Sequence, residues 1–229
     1  MSHGSRAAAG EFLGSTGLAA VVVGSGIAAQ RLSPGDVGLQ LLENALATAL
    51  GLAVLILVFA TVSGAHFNPV VTLVDIALHR RTWTTAAIYL PLQVLGCIVG
   101  AVLANVMFAA PAVAWSTTDR SGWPLLLSEV VATAGLILVI FALVRTDRSH
   151  LAAPAVGAYI GAAYFFTSST SFANPAITIG RMFTDTFAGI APASALPFVA
   201  AQLVGAALGF LTVRALFPTP SPEPTATRG

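Results

Sequence analysis

Apolar residues fall into six runs long enough to cross a membrane, at about 8–30, 39–62, 84–109, 124–145, 151–167 and 194–217. A spanning helix needs about 20 mainly apolar residues, and the fifth run is the shortest of the six. Two further apolar stretches, at about 68–78 and 174–184, reach only half that length. The pattern predicts an all-α membrane protein with six transmembrane helices and two short helices.

The composition excludes most other classes of protein. Of the 229 residues, 56% are hydrophobic and 8% are charged, whereas a soluble domain carries about 25% charged residues. The formal net charge is +1, which leaves no basic surface for nucleic acid. The single cysteine, Cys97, lies in an apolar run. Since the sequence holds no metal cluster, phosphate loop or nucleophile–base pair, we expect no metal, no cofactor and no enzymatic activity.

The arginines predict the orientation of the chain. The sequence has no lysine, and its cations divide between the two sides expected for six spans. One side would carry Arg6, Arg80, Arg81, Arg145, Arg148, Arg214 and Arg228, and the other Arg31, Arg120 and Arg181. Because cytoplasmic loops are rich in arginine, we expect both termini in the cytoplasm. The Pro-rich segment 218–229 is predicted to be a disordered tail.

The two halves of the chain share a set of landmarks. These recur in the same order: Glu11 as Glu129, Asn68-Pro69-Val70 as Asn174-Pro175-Ala176, and Gln93 as Gln202. Each half holds three spans, so the second half must enter the membrane from the opposite side. The sequence therefore predicts an inverted repeat, with repeat one at about 8–109 and repeat two at about 124–217, in which a site forms at the midplane.

Each Asn-Pro pair is typical of the start of a short helix. Asn is a favoured N-cap, and Pro at the first helical position costs no hydrogen bond. The preceding small and polar residues suit an irregular strand, which survives at membrane depth only when it is buried or lines a wet cavity. The inverted symmetry would bring two partly positive helix ends together and repel cations. The Asn68 and Asn174 amides could then donate to a passing oxygen.

These motifs carry a resemblance to a known family. Ser63-Gly-Ala-His-Phe-Asn-Pro-Val-Val-Thr72 and Phe172-Ala-Asn-Pro-Ala-Ile177 resemble the two signature loops of the aquaporins and aquaglyceroporins, and the resemblance covers residues 8–217. It implies re-entrant half-helices, one channel domain over 1–217, one pore per protomer and a homotetramer in a bacterial-type plasma membrane. The run from Phe172 to Gly189 also resembles a bacterial branch linked to arsenic resistance, which implies arsenite as a solute.

The chain departs from the family at the selectivity filter. Most members place Arg directly after the second Asn-Pro-Ala, where this chain has Ile177. By the resemblance, the filter residues become Thr48, Ala162, Ser171 and Ile177, with Leu50 as the alternative to Thr48. Without a guanidinium, we expect a wider, uncharged filter that admits larger neutral solutes. Arg181, one helical turn beyond Ile177, either replaces part of the lost charge at the outer mouth or faces loop acids and lipid headgroups.

Other polar residues near membrane depth have two interpretations. Glu11 and Glu129 are either a proton relay or acceptors for the backbone of the re-entrant segments, and the resemblance favours the second. Gln93 and Gln202 are expected to form hydrogen bonds between helices. His66 is either a gate at the cytoplasmic mouth or a structural donor. The aromatic run Tyr164, Phe165 and Phe166 is typical of an interfacial belt.

The sequence favours a passive channel for small uncharged solutes such as water, glycerol and arsenite. A channel that conducts mainly water is the alternative. A coupled secondary transporter would need coupling-ion ligands at the midplane, where this chain offers two neutral asparagines. A packing role with a closed pore, as in some junctional members of the family, fits the hydroxyl-lined filter poorly.

Overall fold

The computed structural model describes residues 2–217. Met1, Arg228 and the predicted disordered tail at 218–229 lie outside the described residues. Within them the secondary structure is helical throughout: α1 His3–Leu32, α2 Val37–Ser63, α3 Pro69–Ala77, α4 Trp83–Met107, α5 Trp123–Arg145, α6 Ala152–Phe166, α7 Pro175–Gly180 and α8 Pro192–Leu216, with 3₁₀ turns at Ser149–Leu151 and Arg181–Phe183.

The predicted architecture of six spans and two half-helices is confirmed. Helices α1, α2, α4, α5 and α8 are long and apolar enough to cross a membrane. Helix α6, the predicted short span, has 15 residues and is about 22 Å long, and the turn Ser149–Leu151 extends it. The half-helices are shorter than predicted, because α3 ends at Ala77 and α7 gives way to a 3₁₀ turn after Gly180.

The helices pack as two copies of one arrangement. In the first half α1 packs against α2 and α4, and in the second half α5 packs against α6 and α8. Helix α3 packs against α4 and α8, and its counterpart α7 packs against α8 and α4. Helices α2 and α6 contact each other, as do α3 and α7. Each half-helix therefore touches both halves of the molecule, which brings their first residues together.

Small residues allow the close approach of the first and last span in each half. A Cβ added to Gly96 would lie 2.5 Å from the Phe12 carbonyl oxygen, and one added to Gly209 would lie 2.7 Å from that of Ala134. Large apolar side chains instead face outward, as along α2, where Leu46, Leu50 and Val54 are all exposed. This distribution suits a bundle surrounded by lipid, whose tails are as apolar as leucine.

Candidate functional site

The two Asn-Pro pairs meet across the centre of the bundle. Asn68 and Asn174 cap α3 and α7, and their side-chain oxygens accept the backbone N–H of Val70 at 3.1 Å and of Ala176 at 2.9 Å. The Asn68 amide nitrogen donates to the Ala173 carbonyl and the Asn174 amide nitrogen donates to the Phe67 carbonyl, both at 2.8 Å. The helix starts are therefore joined by two reciprocal hydrogen bonds.

The segments before the half-helices adopt matching backbone conformations. Ala65 and Phe67 have φ angles of 51° and 50°, and Ser171 and Ala173 have φ angles of 49° and 47°. The left-handed region is unfavourable for residues with a side chain, at a cost of about 1–3 kcal/mol each. The surrounding structure must therefore hold both segments in place.

One buried carboxylate holds each segment. Glu11 accepts hydrogen bonds from the Ser63 hydroxyl at 2.7 Å and from the N–H groups of His66 and Phe67 at 2.9 and 2.8 Å. Glu129 accepts from the Ser169 hydroxyl at 2.6 Å and from the N–H groups of Phe172 and Ala173, both at 2.9 Å. The remaining partners are Gln93 and Gln202, each donating to its carboxylate at 2.7 Å. This is the geometry of backbone acceptors, and neither carboxylate borders the cavity described next.

A cavity of about 780 Å³ runs along the contact between the two halves. Asn68 and Asn174 both line it, whereas Pro69, Val70, Pro175 and Ala176 pack behind them in the protein interior. One end, here called the Asp75 mouth, is bordered by His66, Asp75, Arg80 and Arg81. The other end, the Arg181 mouth, is bordered by Phe172, Ile177 and Arg181.

Three of the four predicted filter residues line this cavity. Thr48 lies in its wall, and its hydroxyl accepts a hydrogen bond from Tyr164 at 3.2 Å. Leu50, the alternative to Thr48, is 61% exposed on the outer face of α2. Ser171 and Ile177 also line the cavity, and the Ser171 hydroxyl has no hydrogen-bond partner among the described residues.

The prediction for Ala162 is wrong, because this residue is exposed on the outer face of α6 and does not border the cavity. Helix α6 lines the cavity with Ala152 and Ala153 at its start and then with Val156, Ile160 and Tyr164, which follow one another at the helical repeat. Tyr164, which the sequence assigns to an interfacial belt, is therefore a cavity residue. Its spacing of one helical turn from Ile160 could have indicated this orientation from the sequence.

Arg181 lies in the cavity wall and is only 2% exposed. Its guanidinium carbon sits 3.4 Å from the centre of the Phe172 ring, and its Nε donates to the Ala188 carbonyl. Of the two alternatives for Arg181, the structure agrees with a position at the mouth and not with one among loop acids or headgroups. A guanidinium therefore borders the same cavity as Ile177, and an uncharged filter at Ile177 stays a prediction.

Two loops outside the membrane-spanning helices contact each other, and one of them carries Ala188, the hydrogen-bond partner of Arg181. Arg120 donates to the carbonyls of Gly189 at 2.8 Å and Phe187 at 3.2 Å, which ties the loop before α5 to the loop before α8. Hydrogen bonds from the hydroxyls of Ser121 and Ser194 lower the pKa of the neighbouring Asp119. These contacts fix the segment that carries the Arg181 partner.

The Asp75 mouth contains a charged cluster that sequence analysis missed. The Asp75 carboxylate accepts from Arg80 Nε at 3.1 Å and lies 3.5 Å from Arg81 Nε. His66, predicted to face the pore or its mouth, borders the cavity here and lies 3.5 Å from Asp75 through Nε2. Besides Glu11 and Glu129, Asp75 is one of two acidic residues within the predicted apolar segments. Its position in a predicted half-helix is the feature by which the sequence could have pointed to this cluster.

Two half-helices that meet inside an inverted repeat, along a cavity with a mouth on each side, define the architecture of a membrane channel. Comparison with known proteins agrees with this class. The family model described as "Major intrinsic protein" matches residues 2–172. The chain belongs to the major intrinsic protein family; it is an integral membrane channel and not an enzyme.

Individual relatives extend the match. "Aquaglyceroporin AqpS" from Rhizobium meliloti (strain 1021) is 46% identical over 205 residues, covering 89% of this chain and 87% of that protein. "Probable aquaporin TIP1-2" from Oryza sativa subsp. japonica is 30% identical over 185 residues, an alignment that covers 76% of this chain and 73% of that protein. The X-ray structure of the aquaglyceroporin from Plasmodium falciparum superposes with a TM-score of 0.71 over 93% of this chain and 96% of that chain. At 24% identity that structure shows the fold alone.

Proposed function

We propose that this protein is a passive channel for small uncharged solutes, namely glycerol and similar polyols, metalloid hydroxides such as arsenite, and water. In this proposal residues 1–217 act as one channel domain within a homotetramer. The chain lies in a bacterial-type plasma membrane with both termini in the cytoplasm, as the arginine distribution favours.

The observation that carries the proposal is the cavity. It measures about 780 Å³, and residues of both mouths and both central asparagines line it. Each Asn amide donates one hydrogen to the opposite segment, and an amide has two. The second hydrogen of each amide is the donor that we assign to a passing solute oxygen.

The cavity wall combines apolar and hydroxyl-bearing residues. Leu18, Val22 and Ile160 line it beside the hydroxyl-bearing residues Thr48 and Ser171. Glycerol presents a carbon backbone on one side and hydroxyls on the other, so a wall of this kind matches it. Undissociated arsenite is also small, neutral and covered with hydroxyls, and we expect it to use the same path.

The relatives support the choice of solutes. The similar protein from Rhizobium meliloti is described as an aquaglyceroporin. The side chain of Ile177 lies where many members of the family carry a guanidinium, so this wall lacks donors that would hold water in single file. We therefore favour a polyol and metalloid channel over a channel that conducts water alone.

Arg181 favours the second candidate, a channel that conducts mainly water. Its guanidinium borders the cavity one turn beyond Ile177, and in that position it narrows the path and adds donors. A coupled transporter has less support, because the acid bordering the cavity, Asp75, is paired with two arginines at a mouth and not free at the centre.

Stopped-flow light scattering on proteoliposomes tests the proposal, with water, glycerol and arsenite as solutes. We expect the native protein to pass all three. Ile177→Arg should lower glycerol and arsenite permeability by roughly tenfold or more, as expected when one interaction of about 1.4 kcal/mol or more changes, and should retain water flow. Ile177→Leu keeps the volume and apolar character of the side chain and is the matched control.

Two results would contradict the proposal. If the native protein passes water and excludes both larger solutes, Arg181 closes the constriction and the second candidate is correct. If Ile177→Arg and Ile177→Leu have the same glycerol permeability, position 177 does not set the selectivity of the channel.

A further inference from the structure

The charges at the Asp75 mouth form a compact cluster. Asp75 is buried in the last turn of α3, and its side chain is 8% exposed, whereas those of Arg80 and Arg81 are 53% and 39% exposed. Arg80 meets Oδ1 of the carboxylate, and Arg81 meets Oδ2. All three residues border the cavity.

The internal repeat gives this cluster a counterpart. Asp75 and Arg181 follow Asn68 and Asn174 by the same number of residues, and both side chains border the cavity. At one mouth the half-helix therefore ends on a buried guanidinium, and at the other it ends on a buried carboxylate. The two ends of one path carry opposite charges at equivalent positions.

A carboxylate in the wall of a pore attracts cations, and rings of such groups line cation channels. Its field is strong because the surroundings have a low dielectric constant. The other titratable groups that border this mouth are His66 and His150, and neither carries a fixed positive charge. The charge of Asp75 is therefore balanced within the cavity wall by Arg80 and Arg81.

We propose that Arg80 and Arg81 are specificity-determining residues, which exclude cations from the Asp75 mouth by neutralising the Asp75 carboxylate. Arg181 needs no such partners, because a guanidinium in the pore wall already repels cations. This inference rests on the proposed function in assuming that solutes pass through the cavity. It adds a second point of ion exclusion, at the end of the pore away from Ile177 and Arg181.

Cation flux into proteoliposomes tests this inference, with thallium(I) entry reported by an enclosed fluorescent dye and with glycerol flux measured in parallel. We expect the double variant Arg80→Gln, Arg81→Gln to raise thallium entry by roughly tenfold or more over the native protein, because the carboxylate loses both counter-charges. Adding Asp75→Asn to the double variant should return thallium entry to the native level. The double variant Arg80→Lys, Arg81→Lys keeps both positive charges, so its thallium entry should stay at the native level.

Arg148→Gln is the matched control. Arg148 is exposed, bonds the Thr146 hydroxyl and does not border the cavity, so its loss should leave thallium entry unchanged. If the double variant does not assemble, Arg80→Gln alone should give an intermediate leak that Asp75→Asn again removes.

The proposal is overturned if the double and triple variants leak equally, since the leak then comes from a damaged fold and not from the carboxylate. It is also overturned if no arginine variant leaks while glycerol flux is retained. Failure of the proposed function has a separate signature, namely a native protein that excludes glycerol, whether or not it passes water.

Discussion

The re-entrant segments 64–68 and 170–174 are held by one hydrogen-bonding scheme, yet they lead to different mouths. In both halves a buried glutamate binds a serine hydroxyl, two backbone N–H groups and a glutamine amide. The side chains that face the cavity beside this scheme differ: His66 in the first half corresponds to Phe172 in the second.

The same contrast continues to the end of each half-helix. In the first half His66 and Asp75 lie 3.5 Å apart as a polar pair. In the second half the guanidinium of Arg181 stacks on the face of Phe172, an arrangement favoured by the ring quadrupole. Groups that hold the backbone are thus repeated, and groups that face the cavity differ between the halves. Symmetry therefore predicts equal effects for substitutions in the first set and unequal effects in the second.

The largest effect is expected from the two glutamates. Glu11→Gln and Glu129→Gln each replace one carboxylate oxygen by an NH₂ group that faces donors, so two charge-assisted hydrogen bonds are lost. We expect each change to lower the free energy of unfolding by about 3 kcal/mol or more, by similar amounts in the two halves, and to abolish glycerol flux. Thermal unfolding of the detergent-solubilised protein measures the first effect, and proteoliposome assays measure the second.

Asp147→Asn is the control for the glutamates, since this exposed carboxylate lies in the loop after α5 and its change should stay within about 0.5 kcal/mol of the native stability. A large effect at Glu11 together with a small one at Glu129 would show that the two halves are not held alike. In that case equivalent hydrogen bonds would contribute different amounts to the free energy of unfolding in the two halves.

Much of the fold could be predicted because the signals are local and repeated. Six apolar runs predict the spans, and each Asn-Pro pair marks the start of a half-helix by capping chemistry that acts within a few residues. The recurrence of Glu11 as Glu129, together with the family resemblance, favours acceptors for the re-entrant segments over a proton relay, since a buried carboxylate needs donors nearby. The roles of these residues in conduction stay predictions.

The errors arise where a residue depends on the rotation of a helix or on distant partners. The family resemblance, carried over by spacing, places Ala162 at the filter, but a shift of two positions along a helix turns a side chain by about 200°, and Tyr164 faces the cavity instead. Asp75 was missed because its partners Arg80 and Arg81 follow the end of α3, and only the turn after Ala77 brings them back onto the carboxylate. Periodicity cannot supply that geometry.

An intermediate effect is expected from the glycines between the first and last span of each half. A Cβ at Gly96 would lie 2.9 Å from the Ser15 Cβ, and one at Gly205 would lie 2.9 Å from the Thr133 Cβ, with backbone oxygens closer still. Gly96→Ala and Gly205→Ala should each cost about 1–3 kcal/mol by forcing the helices apart.

Gly4→Ala is the control for these glycines, because nothing lies within 4 Å of an added Cβ at Gly4, and it should leave the unfolding temperature unchanged or raise it slightly. Thermal unfolding ranks the three variants. If Gly96→Ala and Gly205→Ala match Gly4→Ala, the helices can separate without cost and close packing does not stabilise the halves.

The smallest effect is the sharpest test of the difference between the halves. Thr178 accepts from Gln202 at 2.9 Å and donates to the Asn174 carbonyl at 2.8 Å. Thr72 makes the equivalent bonds to Gln93 at 3.0 Å and to the Asn68 carbonyl at 3.3 Å. Thr72 also lies 3.0 Å from Nδ1 of His66, a contact that Phe172 cannot offer in the second half. Removing the hydroxyl therefore leaves one more group without a partner in the first half.

Thr178→Val should cost about 1 kcal/mol, and Thr72→Val about 1 kcal/mol more, because the His66 ring also loses its partner. Thr212→Val is the control, since this exposed hydroxyl bonds only the Leu208 carbonyl of its own helix. Unfolding temperatures should fall in the order Thr212→Val, Thr178→Val, Thr72→Val, from smallest to largest loss. Adding His66→Phe to Thr72→Val gives the first half the aromatic ring of the second and should remove the extra loss. Should the two threonine variants instead unfold at the same temperature, the His66 contact with Thr72 contributes nothing to stability.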